Sequence, residues 1–215
     1  MARRFARSIM LLQGGRSPAR SQARRGPGGD LPRQAATLGG RLVTPQEHAA
    51  FVRLLKQCPD GPRIELGVFR GATLGLIAKH PGITIGVDSF AGMAAPGKRD
   101  TKDGWTPYPL GRLSAPMRDA QRAAPKARLL KGFVPDILPA ITESGFAFAH
   151  LDMDQYGPTL AALQWVWGRM APGGVICCDD WFADRDWLAA GAINDFAAGI
   201  GRIPETAGRK AWWIA

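Results

Sequence analysis

From residue 44 onward, short apolar runs alternate with longer stretches of helical periodicity. The runs read as buried strands and the stretches as helices packed over them. Strands are expected near Ile64–Val68, Thr84–Asp88, Arg128–Lys131, Phe146–Asp152 and Val175–Asp179. Helices are expected near Thr73–His80, Ser114–Ala124, Pro135–Glu143, Pro158–Met170 and Arg185–Gly199. An earlier helix carries its own start signal: Thr44 can cap, Pro45 suits the first helical position, and Glu47 can close a capping box. Such a cap is worth about 1 kcal/mol. That helix should run to Gln57 and end before Pro59. The end of the chain, Arg202 to Ala215, reads as two short strands joined at Gly208. Strands alternating with helices predict an α/β fold: a doubly wound, mostly parallel, seven-stranded, Rossmann-like sheet with helices on both faces.

Two stretches stand outside this alternation. Gly14 to Gly40 is dense in Gly, Pro, Arg, Ser and Gln, with little to bury. Residues 1–43 are therefore expected to form a basic, disordered arm, and residues 44–215 a single domain. Ala91 to Leu113 is a long connection rich in Gly, Pro and Lys, the kind of loop that serves as a lid. Charge then changes the picture only locally. The net charge of +10 is concentrated in the first 41 residues, where nine arginines face one acid, Asp30. The rest is nearly neutral, so basicity gives no reason to expect a nucleic-acid partner. No apolar run approaches the roughly 18 residues of a membrane span. Arg3-Arg4 and Ser8–Leu12 are too short for a secretory leader of about 7–15 apolar residues, and an Arg- and Ser-bearing transit peptide fits the arm better. Cytoplasm is the default expectation. Cys58, Cys177 and Cys178 suggest neither a disulfide framework nor a metal-type spacing.

Polar residues gather at the strand ends. Glu65-Leu66-Gly67, Asp88, Gly132, Asp152 and Asp179-Asp180 lie at or near the carboxyl ends of five successive expected strands. Open α/β sheets bind ligands in the crevice outside those ends. Gly67 and Gly71 would let the backbone turn sharply and approach a ligand. Their Gly-x-x-x-Gly spacing differs from the Gly-x-Gly-x-x-Gly of dinucleotide binders, which favours a nucleoside without phosphate over a phosphate cradle. Asp88 ends the second strand, where a carboxylate can accept two hydrogen bonds from ribose hydroxyls. Asp152, Asp154, Asp179 and Asp180 offer hard oxygen ligands of the sort Mg²⁺ takes. Acids crowded at one mouth repel each other unless a cation neutralises them.

Taken together, Glu65-Leu66-Gly67-Val68-Phe69-Arg70-Gly71, Asp88-Ser89-Phe90-Ala91-Gly92, Leu151–Thr159 and Pro172-Gly173-Gly174 leading to Asp179-Asp180 resemble the macrocin O-methyltransferase-like family. Those are class I, S-adenosylmethionine-dependent, metal-assisted sugar O-methyltransferases. The resemblance covers about Thr44 to Ala215. It implies that Glu65 and Gly67 contact the methionine part of the cofactor and Asp88 its ribose, with Ser89 and the Gly132-Phe133 turn near the adenosyl group. It also implies a metal triad of Asp152, Asp179 and Asp180, with Asp152 favoured over Asp154 as first ligand. Catechol-type relatives carry a lysine base where this chain has Gln155. Related sugar enzymes use a histidine, and His150 is the candidate here because it shares strand parity with Asp152, the competing reading being a buried, hydrogen-bonded histidine with a structural role.

The expected reaction is an in-line methyl transfer to a hydroxyl of a small sugar or natural-product acceptor, with Asp152 and His150 as the catalytic candidates. Trp105, Tyr108 and Trp181 would wall the acceptor. No nucleic acid and no membrane are expected as partners, while a homo-oligomer remains open. Two other readings stay open. Asp152-Met153-Asp154 is also the Asp-x-Asp with which nucleotide-sugar glycosyltransferases hold metal and diphosphate. A binding protein without turnover could also use this fold.

Overall fold

The computed structural model of the chain describes residues 36–38 and 41–215. At its start, strands β1 (Ala36–Leu38) and β2 (Arg41–Val43) pair antiparallel. These strands lie ahead of Thr44, inside the stretch expected to be an arm; residues 1–35, 39 and 40 of that stretch lie outside the described ones. The Thr and Val of these strands are good strand formers that the surrounding Gly-rich composition obscures. Helix α1 (Pro45–Gln57) then opens as its sequence requires. Thr44 Oγ1 accepts from the Glu47 amide at 3.2 Å, and the Glu47 carboxylate accepts from the Thr44 amide at 2.8 Å.

Alternating units follow: β3 (Arg63–Leu66), α2 (Ala72–Ile77), β4 (Thr84–Asp88), α3 (Met117–Ala123), β5 (Arg128–Lys131) and β6 (Phe146–Leu151). Then come α4 (Tyr156–Trp167), β7 (Met170–Cys178), α5 (Leu188–Ile200), β8 (Glu205–Ala207) and β9 (Lys210–Ile214). The helix expected at Pro135–Glu143 is instead one short 3₁₀ turn, Leu138–Ala140. Pro139 would fall inside that helix, where it supplies no N–H and its ring clashes with the preceding turn. Strand β7 also starts at Met170, five residues before the expected Val175.

β3 to β9 form one seven-stranded sheet in the order β5-β4-β3-β6-β7-β9-β8. The first five of these pair parallel, and β9 runs antiparallel to both β7 and β8. Strand order reverses between β3 and β6, which opens a crevice at their carboxyl ends. The two faces are covered separately. Ile64, Leu66, Leu151 and Ile176 pack with Leu163 and Val166 of α4 and Ile193 of α5. On the other face Phe148, Cys177 and Trp212 meet Phe51 and Leu54 of α1. Each such fully buried Leu, Ile or Phe contributes about 1.5–3 kcal/mol. Among the described residues, no helix is long and apolar enough to cross a membrane.

Candidate active site

At the β3–β6 switch point the two backbones almost touch. Gly67 has φ +93°, and a Cβ there would stand 2.0 Å from the Asp152 carbonyl oxygen. Only glycine permits both the conformation and the approach. Gly71, with φ +81°, precedes α2, and a Cβ on it would meet the Ala120 Cα of α3 at 2.7 Å. Its requirement is helix packing beneath the turn.

These turns enclose a cavity of about 300 Å³. Glu65, Gly67, Asp88, Ser89, Gly132, Phe133 and Asp152 all line it, as do Asp154 and Gln155. The volume sits at the lower end of the roughly 300–1,000 Å³ typical of small-molecule sites. Asp88 fixes the walls: its Oδ2 accepts from the Phe69 amide at 2.8 Å and its Oδ1 from the Phe90 amide at 2.7 Å. Ser89 Oγ donates to Gly92 O at 2.8 Å, which closes the next turn, and Phe133 stands partly exposed.

Glu65 is buried and divided in function. Its Oε1 pairs with His150 Nδ1 at 2.9 Å, while its Oε2 is buried without a hydrogen-bond partner. An orphaned carboxylate oxygen in a cavity wall is what a cationic ligand group would satisfy. Burial pushes Glu65 up to about 7, against the opposing pull of His150. For His150, burial disfavours the charge, but Asp179 and the bond to Glu65 outweigh it and hold the imidazole up to about 9. His150 is fully buried, hydrogen-bonded on both ring nitrogens and does not line the cavity, so it stands behind the wall, as the structural alternative to a base has it.

The acids divide differently from the expected triad. Asp152, Asp154 and Asp180 bring carboxylate oxygens within 4.8 Å of one another. Asp179 instead faces His150 Nε2 at 3.2 Å and the Lys210 ammonium. Burial opposes its charge, but Lys210 and His150 together hold its carboxyl far below the usual range. Asp154 and Asp180 have φ of +63° and +62°. Two non-glycine residues held in the left-handed region at one cluster mark a spot where geometry is constrained at the expense of local stability. Arg209 Nη1 lies 3.6 Å from Asp180. An all-oxygen donor set with excess negative charge fits a hard divalent cation, so Asp152, Asp154 and Asp180 would hold Mg²⁺.

The Ala91–Leu113 connection is tied down at one end. Gln155 donates to Ala94 O at 2.9 Å, and the buried Asp100 accepts from the Tyr156 amide at 2.6 Å. Arg99 stacks 4.4 Å above the Tyr156 ring and bonds Asp195 at 3.0 Å. Of the expected wall aromatics, Trp181 points inward, donating to Asn194 Oδ1 at 3.0 Å. Trp105 is 61% exposed and pairs with Trp187, centroids 6.3 Å apart. Sequence reasoning missed Lys210 and Arg209, because a lysine and an arginine in a terminal hairpin carry no motif. The only signal was their nearness to Gly208, which brings that hairpin against Glu47.

A family model described as macrocin O-methyltransferase matches residues 7–201. That match begins well before Thr44 and takes in most of the N-terminal stretch. A curated relative from Streptomyces olivaceus, 8-demethyl-8-(2,3-dimethoxy-alpha-L-rhamnosyl)-tetracenomycin-C 4'-O-methyltransferase, is 26% identical over 208 residues, covering 86% of this chain and 78% of its own. Among solved structures, the O-methyltransferase NovP superposes with a TM-score of 0.67 at 20% identity, over 82% of this chain and 85% of NovP. The calicheamicin methyltransferase CalS11 gives 0.60 at 22% identity, over 77% and 76%. These two likenesses concern the fold.

Proposed function

The chain belongs to the macrocin O-methyltransferase family, and from that premise we propose that it moves the methyl group of S-adenosylmethionine onto a hydroxyl of a sugar or natural-product acceptor, with Mg²⁺ assisting. Membership decides between this chemistry and the glycosyl transfer that Asp152-Met153-Asp154 alone also suggests. The curated relative is named as a 4'-O-methyltransferase of a rhamnosyl-bearing tetracenomycin C, which supports an acceptor of that general kind.

In this reading Glu65 Oε2, a buried oxygen without a hydrogen-bond partner, takes the cofactor's ammonium. Asp88 takes the ribose hydroxyls, with Ser89, Gly132 and Phe133 around the adenosyl group. Gly67 and the Asp152 backbone hold the sulfonium end between β3 and β6. The reaction breaks the S–CH₃ bond, forms an O–CH₃ bond, and leaves S-adenosylhomocysteine and a proton. Because the sulfonium is already activated, alignment and exclusion of water do most of the work, worth up to about 7–11 kcal/mol in ideal cases. A cation bound by Asp152, Asp154 and Asp180 would lower the pKa of the acceptor hydroxyl. With His150 sealed behind the wall, the proton goes to a cluster carboxylate that lines the cavity, Asp152 or Asp154.

The observation that carries this reading is the orphaned Glu65 Oε2 in a cavity shared with Asp88 and Asp152. Calorimetric titration with S-adenosylmethionine, a nucleotide sugar and NAD, each with and without Mg²⁺, tests it. Binding of S-adenosylmethionine alone among the three supports it. Preference for either of the others overturns it.

A further inference from the structure

Behind the cavity wall lies a row of ionisable side chains that crosses four neighbouring strands. Parallel register sets Glu65 of β3 beside His150 of β6, and His150 beside Cys177 of β7. Asp179 follows Cys177 by two residues, so strand alternation returns it to the same face. On β9, Ala211 pairs with Cys178, which brings Lys210 level with Asp179. The side chains then touch in sequence. Glu65 Oε1 meets His150 Nδ1 at 2.9 Å, His150 Nε2 meets Asp179 Oδ1 at 3.2 Å, and the Lys210 ammonium bonds the same Asp179 oxygen. Lys210 is 5% exposed and sits 5.0 Å from the centroid of the Phe51 ring, with Phe51 also edge-on to His150.

We propose that Lys210 is a positioning residue for cofactor binding, acting on the methionine subsite through Asp179, His150 and Glu65 without touching the cofactor itself. This rests on the reading that Glu65 Oε2 receives the cofactor's ammonium. A buried carboxylate can present one oxygen to a ligand only if the other is held, and His150 holds it. His150 faces a carboxylate on either side, so it keeps its ring orientation only while Asp179 stays in place. Asp179 stands next to the Asp152, Asp154 and Asp180 cluster, which repels it, and Lys210 is the second cation, beside His150, that anchors it away from them. Alternating charges make the row self-consistent, while removal of the last member leaves Asp179 with His150 as its remaining cationic partner and pulls the imidazole toward that acid. The cost then travels to Glu65.

The test compares two ligands that differ only at the far end. S-adenosylhomocysteine carries the amino-acid group, whereas 5'-methylthioadenosine lacks it. Calorimetry on Lys210→Met should show S-adenosylhomocysteine weakened about tenfold or more, the loss expected for a charged hydrogen bond set out of place. Affinity for 5'-methylthioadenosine should stay within about twofold, and Lys210→Arg should restore the first ligand. A general loss of structure would weaken both ligands alike, and that result overturns the proposal, as does an unchanged pair of affinities. Should Lys210→Met fail to fold, His150→Gln breaks the same row one step nearer and must show the same selective loss. Wild-type protein that binds neither ligand would instead refute the cofactor reading, and the two failures are thus distinguishable.

Discussion

Replacing Gly67 with alanine tests the geometry on which the whole site depends. The new Cβ would lie 2.0 Å from the Asp152 carbonyl oxygen and 2.7 Å from its carbonyl carbon. Ordinary contact begins near 3.4 Å, so one strand end must retreat by about 1.4 Å. The residue must also keep φ at +93°, a conformation alanine adopts only under strain. Strained backbone costs about 1–3 kcal/mol, and overpacking a tight contact adds about 1–3 kcal/mol. For a chain of this size each kcal/mol lowers Tm by roughly 2–4 °C, so a fall of about 4–24 °C is expected by calorimetry. Whatever strain is relieved by movement shifts Asp152 from Glu65, and a displacement near 1 Å can cost about a hundredfold in a reaction that depends on alignment. Titration with S-adenosylhomocysteine should therefore show at least about a tenfold weaker complex. A variant with unchanged Tm and affinity within twofold of wild type would refute the close approach of β3 and β6.

Other consequences can be measured independently. Asp154→Ala should weaken Mg²⁺ binding by at least about tenfold in calorimetry, since even outer partners of metal ligands cost that much, and should leave S-adenosylhomocysteine affinity within about twofold; equal Mg²⁺ affinity would remove Asp154 from the cation site. His150 is raised from 6.5 to about 9, so the folded state holds a proton that the unfolded state releases in between. The associated stability is complete below about pH 6.5 and declines as pH rises toward 9, by at most about 1.4 kcal/mol per pH unit; His150→Gln should flatten this part of the Tm–pH curve. Arg99→Ala should speed proteolysis within residues 101–110, where the connection loses its hold on Asp195 and the Asp186 carbonyl. Global Tm should shift little, because a half-exposed ion pair is worth at most about 1 kcal/mol.

The alternation of strands and helices was legible because the central strands are short apolar runs buried on both faces, as Phe146–Leu151 shows. Strand ends follow from the same runs, and that is why the sequence alone points Glu65, Asp88, Gly132 and Asp152 to one crevice. Local chemistry was harder to read. Pro139 breaks a segment whose apolar spacing alone looks helical. Asp179 and Asp180 are adjacent, yet alternation turns one toward Lys210 and the other toward Asp152 and Asp154. Which partner each acid takes depends on β9, a strand that pairs in space across a separation of some thirty residues. The left-handed conformation of Asp154 leaves no trace in composition. Trp181 illustrates the same limit, since an aromatic beside two acids suggests a ligand wall while its indole in fact bonds α5.

A crystal structure of the protein soaked with S-adenosylhomocysteine and Mg²⁺ addresses the central claim most directly. The ligand's ammonium should lie within hydrogen-bond reach of Glu65 Oε2, its ribose hydroxyls on Asp88, and the cation among Asp152, Asp154 and Asp180. Density for the ligand away from the β3–β6 crevice, or an amino-acid end pointing away from Glu65, would contradict it.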